Sequence, residues 1–239
     1  MSETKHNSTI CVRHKEDYTS LHSYIHKTTL LFIFTLCLTN AHALAGWQTE
    51  TVDSELDVGG YTSLAFDASG NPAISYLAWT NGDLKYACFN GTKWDITTVD
   101  SEGNLDGYSS LAFDASGNPA ISYYDLNNSD LKYAHFNGTK WDITTVDSAG
   151  DAGRYASLAF DPLTGYPAIS YLDDSNFDLK YARFNGTKWD ITTVDSAGDV
   201  GRYSSLAFNP LTGSPTISYL DDSNFDLKYA RFNGTKWDI

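Results

Sequence analysis

Residues 94–140 read WDITTVDSEGNLDGYSSLAFDASGNPAISYYDLNNSDLKYAHFNGTK. Four short runs within it, 94–99, 108–113, 120–124 and 131–136, are rich in Thr, Val, Ile, Tyr and Phe. These residue types suit a pleated surface, and turn chemistry separates the runs. Asp114-Ala-Ser-Gly-Asn-Pro119 joins the second to the third, and Asn137-Gly138, a type I′ hairpin signal, follows the fourth. The stretch therefore predicts four short strands, each joined to the next by a turn.

The same pattern recurs along the chain. Units run over 47–93, 94–140, 141–188 and 189–236, followed by Trp237-Asp-Ile239. The last two full units differ at five of 48 positions, so recurrence between them reflects copying. Four strands at a period of 47 or 48 residues predict an all-β fold, a β-propeller of four four-stranded blades. The Ser-Leu-Ala-Phe run is small or apolar on both faces, as an innermost strand must be, and the Trp-led run alternates with polar residues and is placed outermost. A blade then begins near Tyr61, Tyr108, Tyr155 or Tyr203 and ends with the Trp-led strand of the next unit. A closed ring of four would draw 47–52 into the outer slot of the last blade, in competition with Trp237. The alternatives are a truncated or open array, a ring completed by another copy, and a β-solenoid or sandwich.

Residues 1–45 contain no repeat, and 46–239 form the repeat domain. A basic, polar stretch ends at Lys27, a short apolar run follows over 29–38, and Ala43-Leu44-Ala45 offers a small-x-small cleavage site. The apolar run is shorter than the ~20 residues that span a bilayer as a helix. The expectation is a signal peptide cleaved after Ala45, with an uncleaved leader as the alternative. The mature chain is then secreted or displayed at the cell surface, without a membrane span.

Charge and residue usage narrow the function. The repeat region holds twelve basic and twenty-seven acidic residues, a net −15. Such a surface repels nucleic acid and anionic lipid. Cys88 is the single cysteine outside 1–45, so that region can form no internal disulfide. His135 is its single histidine, and its repeat equivalents are Cys88, Arg183 and Arg231. A position that accepts all of these reads as a tolerant strand site, and one histidine supplies neither a catalytic triad nor a histidine metal cluster. Glutamate is limited there to Glu50, Glu55 and Glu102. The aspartates keep a two-carboxylate glycosidase open as the minor alternative.

The segments Ser-Leu-Ala-Phe-Asp, Gly-x-Pro-x-Ile-Ser-Tyr and Asp-Leu-Lys-Tyr-Ala resemble the tandem propeller repeats of bacterial secreted and surface proteins, similar to sialidase-like and propeller-lectin repeats. The resemblance implies an architecture and no catalytic residue. The sialidase turn Ser-x-Asp-x-Gly-x-Thr-Trp is replaced here by Asp67-Ala-Ser-Gly70, with Gly one place late and no Trp.

Candidate binding residues come from the loops between blades and between second and third strands, which share one edge of a propeller. They are Trp79 and Asn81 in the first unit, and Arg154, Asp174, Asn176 and Phe177 in the third. The fourth offers Arg202, Asp222, Asn224 and Phe225. Aromatic faces beside amide and carboxylate groups suit a carbohydrate. The function predicted is a secreted, non-catalytic, lectin-like binding or adhesion module with repeated shallow sites. The alternative is a structural or self-associating repeat. No cofactor is implied. A Ca²⁺ loop over Asp174, Asn176 and Asp178 is the competing reading, against which Leu179 and Asn185 stand where the loop needs Gly and Glu. The leading Trp47, Trp94, Trp141, Trp189 and Trp237 read as structural packing. The Asn-Gly-Thr sequons at Asn90, Asn137, Asn185 and Asn233 read as hairpin turns.

Overall fold

The computed structural model describes residues 47–102, 105 and 108–239. The predicted leader and its cleavage site lie outside them. Sixteen strands form four antiparallel sheets, each following chain order from inner to outer strand. Blade 1 comprises β1 (Val58–Phe66), β2 (Pro72–Ala78), β3 (Asp83–Phe89) and β4 (Trp94–Asp100). Blade 2 comprises β5 (Ser110–Phe113), β6 (Pro119–Asp125), β7 (Asp130–Phe136) and β8 (Trp141–Asp147). Blade 3 comprises β9 (Ala152–Phe160), β10 (Pro167–Asp173), β11 (Asp178–Phe184) and β12 (Trp189–Asp195). Blade 4 comprises β13 (Val200–Phe208), β14 (Pro215–Asp221), β15 (Asp226–Phe232) and β16 (Trp237–Asp238). The blade boundaries fall where the offset between sequence units and sheets places them, and the Trp-led strand is outermost in every blade.

The inner strands run further back than Tyr61, Tyr155 and Tyr203 suggest, because each crosses a bulge. The register shifts there, and these tyrosines adopt φ of 48°, 54° and 53°. A bulky residue in the left-handed region is strained. The rings meet in exchange, with Tyr61–Tyr108, Tyr108–Tyr155 and Tyr155–Tyr203 centroids 4.9, 4.9 and 4.6 Å apart.

The Asn-Gly turns differ from type I′. Asn137 N–H donates to the Lys140 carbonyl, which leaves Gly138 and Thr139 as the central pair. Only Gly138 has positive φ, at 93°, as in a type II′ turn. The Asn137 side chain decides this, because its Oδ1 accepts the N–H groups of Thr139 and Lys140. The turn reading of the sequon holds, with Gly138 alone in the left-handed region in place of the Asn137-Gly138 pair.

Packing lies between blades. One apolar core joins blades 1 and 2, a second joins 2 and 3, and a third joins 3 and 4. In the second, Leu158 of β9 packs with Leu131 and Tyr133 of β7. The Trp that opens the outer strand of blades 2, 3 and 4 meets the preceding blade edge-on. Trp141 faces Tyr86, Trp189 faces Tyr133 and Trp237 faces Tyr181, at 5.3, 5.3 and 5.2 Å between centroids. Serine ties the inner strands together, since Ser63, Ser110 and Ser157 accept through Oγ the N–H groups of Leu111, Leu158 and Leu206.

A buried polar tie accompanies each core. Asp100 and Asp147 end the outer strands of blades 1 and 2. They accept the hydroxyls of Tyr123 and Tyr171 from the next blade at 2.6 and 2.7 Å. Lys132 and Lys180 lie beside them and pair with Asp125 and Asp173 at 2.7 and 2.6 Å. Asp195, Tyr219 and Lys228 repeat the arrangement between blades 3 and 4.

The ring of four expected from the sequence is an open arc in the described residues. Residues 47–50 form no strand, and β16 occupies the outer slot of blade 4, where Trp237 pairs with Phe232 and Asp238 with Arg231. That corrects the expected closure by 47–52. The slot follows directly from the local Phe232-to-Trp237 hairpin, a contact between neighbours in sequence.

Candidate functional site

Antiparallel blades send their connections to two opposite edges. The rim predicted from sequence is the edge with the blade-to-blade connections and the loops between second and third strands. The structure gathers the ten candidates there, but spends much of their hydrogen-bonding capacity internally. Arg154 lies 3.5 Å from both Asp151 and Asp174 and over the Tyr124 ring at 4.5 Å. Arg202 repeats the pairing with Asp199 and Asp222 at 3.1 and 3.4 Å. Asn176 and Asn224 donate Nδ2–H to Asp173 and Asp221, at 2.9 and 3.1 Å, closing their turns. Asp174 therefore faces a guanidinium and Asn176 faces its own turn, so they do not converge as Ca²⁺ ligands. Phe177 and Phe225 sit exposed at φ of 58° and 60°. Trp79 is exposed in part and lies against Tyr61 at 5.3 Å, and Asn81 is exposed in the same turn.

The cavities open on the opposite edge, and none of the ten candidates lines them. A groove of about 650 Å³ lies between blades 2 and 3, and one of about 800 Å³ between blades 3 and 4. Each is walled by the third and fourth strands of one blade and by the two turns of the next. At the first junction Tyr86, Cys88 and Phe113 enclose a crevice too small for water.

The groove between blades 3 and 4 combines Trp237, Tyr181 and Phe232 with Arg183, Asp161 and Asp190. Arg183 reaches Asp161 at 2.6 Å, and its side chain stays 44% exposed. Asp190 accepts from Asn185 Nδ2 at 2.7 Å. The groove between blades 2 and 3 has the same plan. His135 replaces the arginine and meets Asp114 at 3.0 Å, and Trp189 supplies the indole.

Every groove carboxylate with a perturbed acidity is held below its ordinary value. Burial opposes ionisation of Asp161, but the Leu163 N–H, Thr164 and the charge of Arg183 outweigh it. Burial is likewise outweighed at Asp114 by His135 and the Asn118 contacts. Asp190 is lowered by hydrogen bonds from Asn185 and Lys188, and Asp142 by those from Lys140 and Asn137. These acids stay ionised near neutrality, whereas a general acid needs a raised value.

Position 135/183 was read from sequence as a tolerant strand site. The structure makes it a groove wall paired to the turn of its own blade. The available signal was that it varies among Cys, His and Arg while its neighbours Tyr-Ala and Phe do not. Such variation also fits a position that tunes each groove separately.

No protein-family model matches the chain, and no curated protein matches it in sequence. Solved structures share its fold. A triple arginine-to-alanine mutant of AofleA from Arthrobotrys oligospora superposes with a TM-score of 0.57 at 18% identity, over 77% of this chain and 59% of that one. The SapL1 lectin in complex with alpha methyl fucoside gives 0.59 at 14% identity, over 76% and 63%. An ulvan lyase from a polysaccharide lyase family gives 0.52 at 15%, over 75% and 57%. The chain thus spans about three-fifths of the length of these proteins. The similarity is one of β-propeller fold, shared by lectins and carbohydrate-active enzymes alike.

Proposed function

We propose that this chain is a non-catalytic carbohydrate-binding propeller whose sugar sites are the grooves between adjacent blades. The observation that carries the reading is the groove beside Trp237, where aromatic faces stand next to the exposed guanidinium of Arg183, held in place by the buried Asp161, and next to Asp190. Indole and phenol faces pack against the apolar side of a sugar ring, while guanidinium and carboxylate groups take its hydroxyls. The ionised groove acids favour binding over hydrolysis. Repetition at two junctions favours avidity from individually weak sites.

Arg183→Ala tests the reading. Hydrogen bonds to charged groups contribute about 1.5–3 kcal/mol, so retention on a positive glycan surface is expected to fall by tenfold or more. Circular dichroism should be unchanged. A second reading places the site on the rim, supported by the exposed Trp79 and Phe177. Trp79→Ala and Asn176→Ala distinguish the two, since loss of retention in these variants with Arg183→Ala unaffected would move the site to the rim. A folded wild-type chain that binds nothing on a broad glycan array would reject both.

The reading requires export. N-terminal sequencing of protein recovered outside the producing cell is expected to begin at Gly46 or within a few residues. Recovery of the full leader on a membrane-bound product would reject cleavage.

A further inference from the structure

The two grooves carry different residues at one wall position, His135 in the first and Arg183 in the second. The two side chains are 31% and 44% exposed. Each holds the less exposed aspartate of its own blade's turn, Asp114 at 3.0 Å and Asp161 at 2.6 Å. A guanidinium is a charged donor whatever the pH around it. An imidazole ordinarily gains its charge as pH falls from about 8 to about 5.

The geometry fixes what that charge changes. Burial would raise the Asp114 carboxyl, and His135 with the Asn118 and Ser116 contacts holds it low instead. An ionised carboxylate only accepts, so the contact with Asp114 Oδ2 places a proton on Nε2 of His135 in both charge states. Nδ1 is then an acceptor in the neutral ring and a donor in the imidazolium. The ring stacks on Tyr133 of its own strand at 6.2 Å. It lies across from Asp142 on β8 and from the uncharged Ala120 on β6. Blade 3 brings Lys188 and Tyr166 to the same groove. With a neutral ring, Asp114, Asp142 and Lys188 leave this groove at −1. With the imidazolium it reaches zero, which is the sum of Arg183, Asp161, Asp190 and Lys236 in the other groove.

We propose that His135 makes the groove between blades 2 and 3 a pH-gated sugar site, weak near neutrality and matched to the Arg183 groove once the ring is charged. The inference rests on the grooves being the sugar sites. A sugar oxygen that accepts from the guanidinium in one groove accepts from the imidazolium in the other. Charged donors hold such an oxygen more strongly than neutral ones. Acidification thus turns a chain with one strong groove into a chain with two, and retention on a multivalent surface gains avidity. Sugar and proton favour the same form of the ring, so sugar binding takes up a proton.

Retention of the full chain on an array of neutral oligosaccharides, read at about pH 7.5 and about pH 5.5, tests this. Arg183→Ala leaves the first groove to act alone, and its retention is expected to rise about fivefold or more at the lower pH. In the Arg183→Ala background, His135→Arg is expected to give the higher retention at both pH values. His135→Gln in that background is expected to give the lower retention at both. Circular dichroism at each pH checks that every variant is folded. Arg183→Ala retention that is equal at the two pH values, or absent at both while the wild type binds, overturns the gate and leaves the Arg183 groove as a sugar site. A pH response that survives His135→Gln overturns it equally. Loss of retention in Trp79→Ala with Arg183→Ala unaffected removes the grooves as sugar sites, and the gate with them.

Discussion

Asp147→Ala is expected to cost the fold about 3 kcal/mol, because it strips a partner from a tie that is closed to water. The side chain is 5% exposed and accepts from the Tyr171 hydroxyl at 2.7 Å and the Ala149 N–H at 3.0 Å. Tyr171 is fully buried, so its hydroxyl would be left without the acceptor it now uses. Lys180 would keep Asp173 at 2.6 Å, which holds the loss below that of an unpaired buried charge. For a domain of this size the loss lowers the melting temperature by roughly 10 °C. Tyr171→Phe is the milder change, expected at about 1 kcal/mol, because Asp147 keeps its other contacts. The double variant should recover part of the Asp147→Ala loss, and a strictly additive double variant in calorimetry would contradict the tie. The same network predicts acid sensitivity. Burial would raise Asp173, but hydrogen bonds from Lys180 and Asn176 hold it below 3.8. Burial is likewise outweighed at Asp195 by Lys228 and Tyr219. With the folded value depressed, this stabilisation is present above the unfolded value and is lost as pH falls below it, so the melting temperature should decline once pH drops under about 4.

Gly153→Ala is expected to be comparably damaging, at about 3 kcal/mol, for a different reason. Its φ is 118°, where a side chain is strained. A β-carbon there would also lie 2.7 Å from Leu131 Cα, which is backbone of the neighbouring blade and cannot swing aside. Gly138→Ala separates the two effects. Its φ is 93°, but nothing stands within 4 Å of the added carbon, so only the backbone strain of about 1 kcal/mol should appear. Equal losses for the two variants in urea titration would show that the approach of blades 2 and 3 is looser than described. Gly201 repeats the contact with Leu179, at 2.9 Å, and should behave like Gly153.

The strands, their order within a blade and the outer position of the Trp-led strand were all legible from residues 94–140. Each depends on contacts between neighbours in the chain: alternation along a strand, a turn at Asp114, a hairpin at Asn137. The turn type was missed because the Asn137 side chain takes the backbone N–H groups and passes the left-handed position to Gly138 alone. That the rim loops share one edge was legible from topology, and what their arginines do was not. Arg154 and Arg202 read as ligand-facing groups, yet each is held between two aspartates, one of them across a loop.

By itself, then, the sequence determined the blade, because a blade is built from hairpins and hairpins are local. Only the tertiary structure decided what lies between blades. Lys132 looks like a surface lysine in Asp130-Leu-Lys-Tyr-Ala134, but it is largely buried between Asp125 and Asp100 of another blade. His135 and Arg183 look like neutral substitutions, but they wall the grooves. Leu64 and Leu227 have the same sequence neighbours as their buried copies and stand exposed. For the lysine and the leucines the deciding partner lies on another blade, and a groove takes its second wall from the next blade, so a residue's own segment carries no information about whether a neighbouring blade is there to cover it.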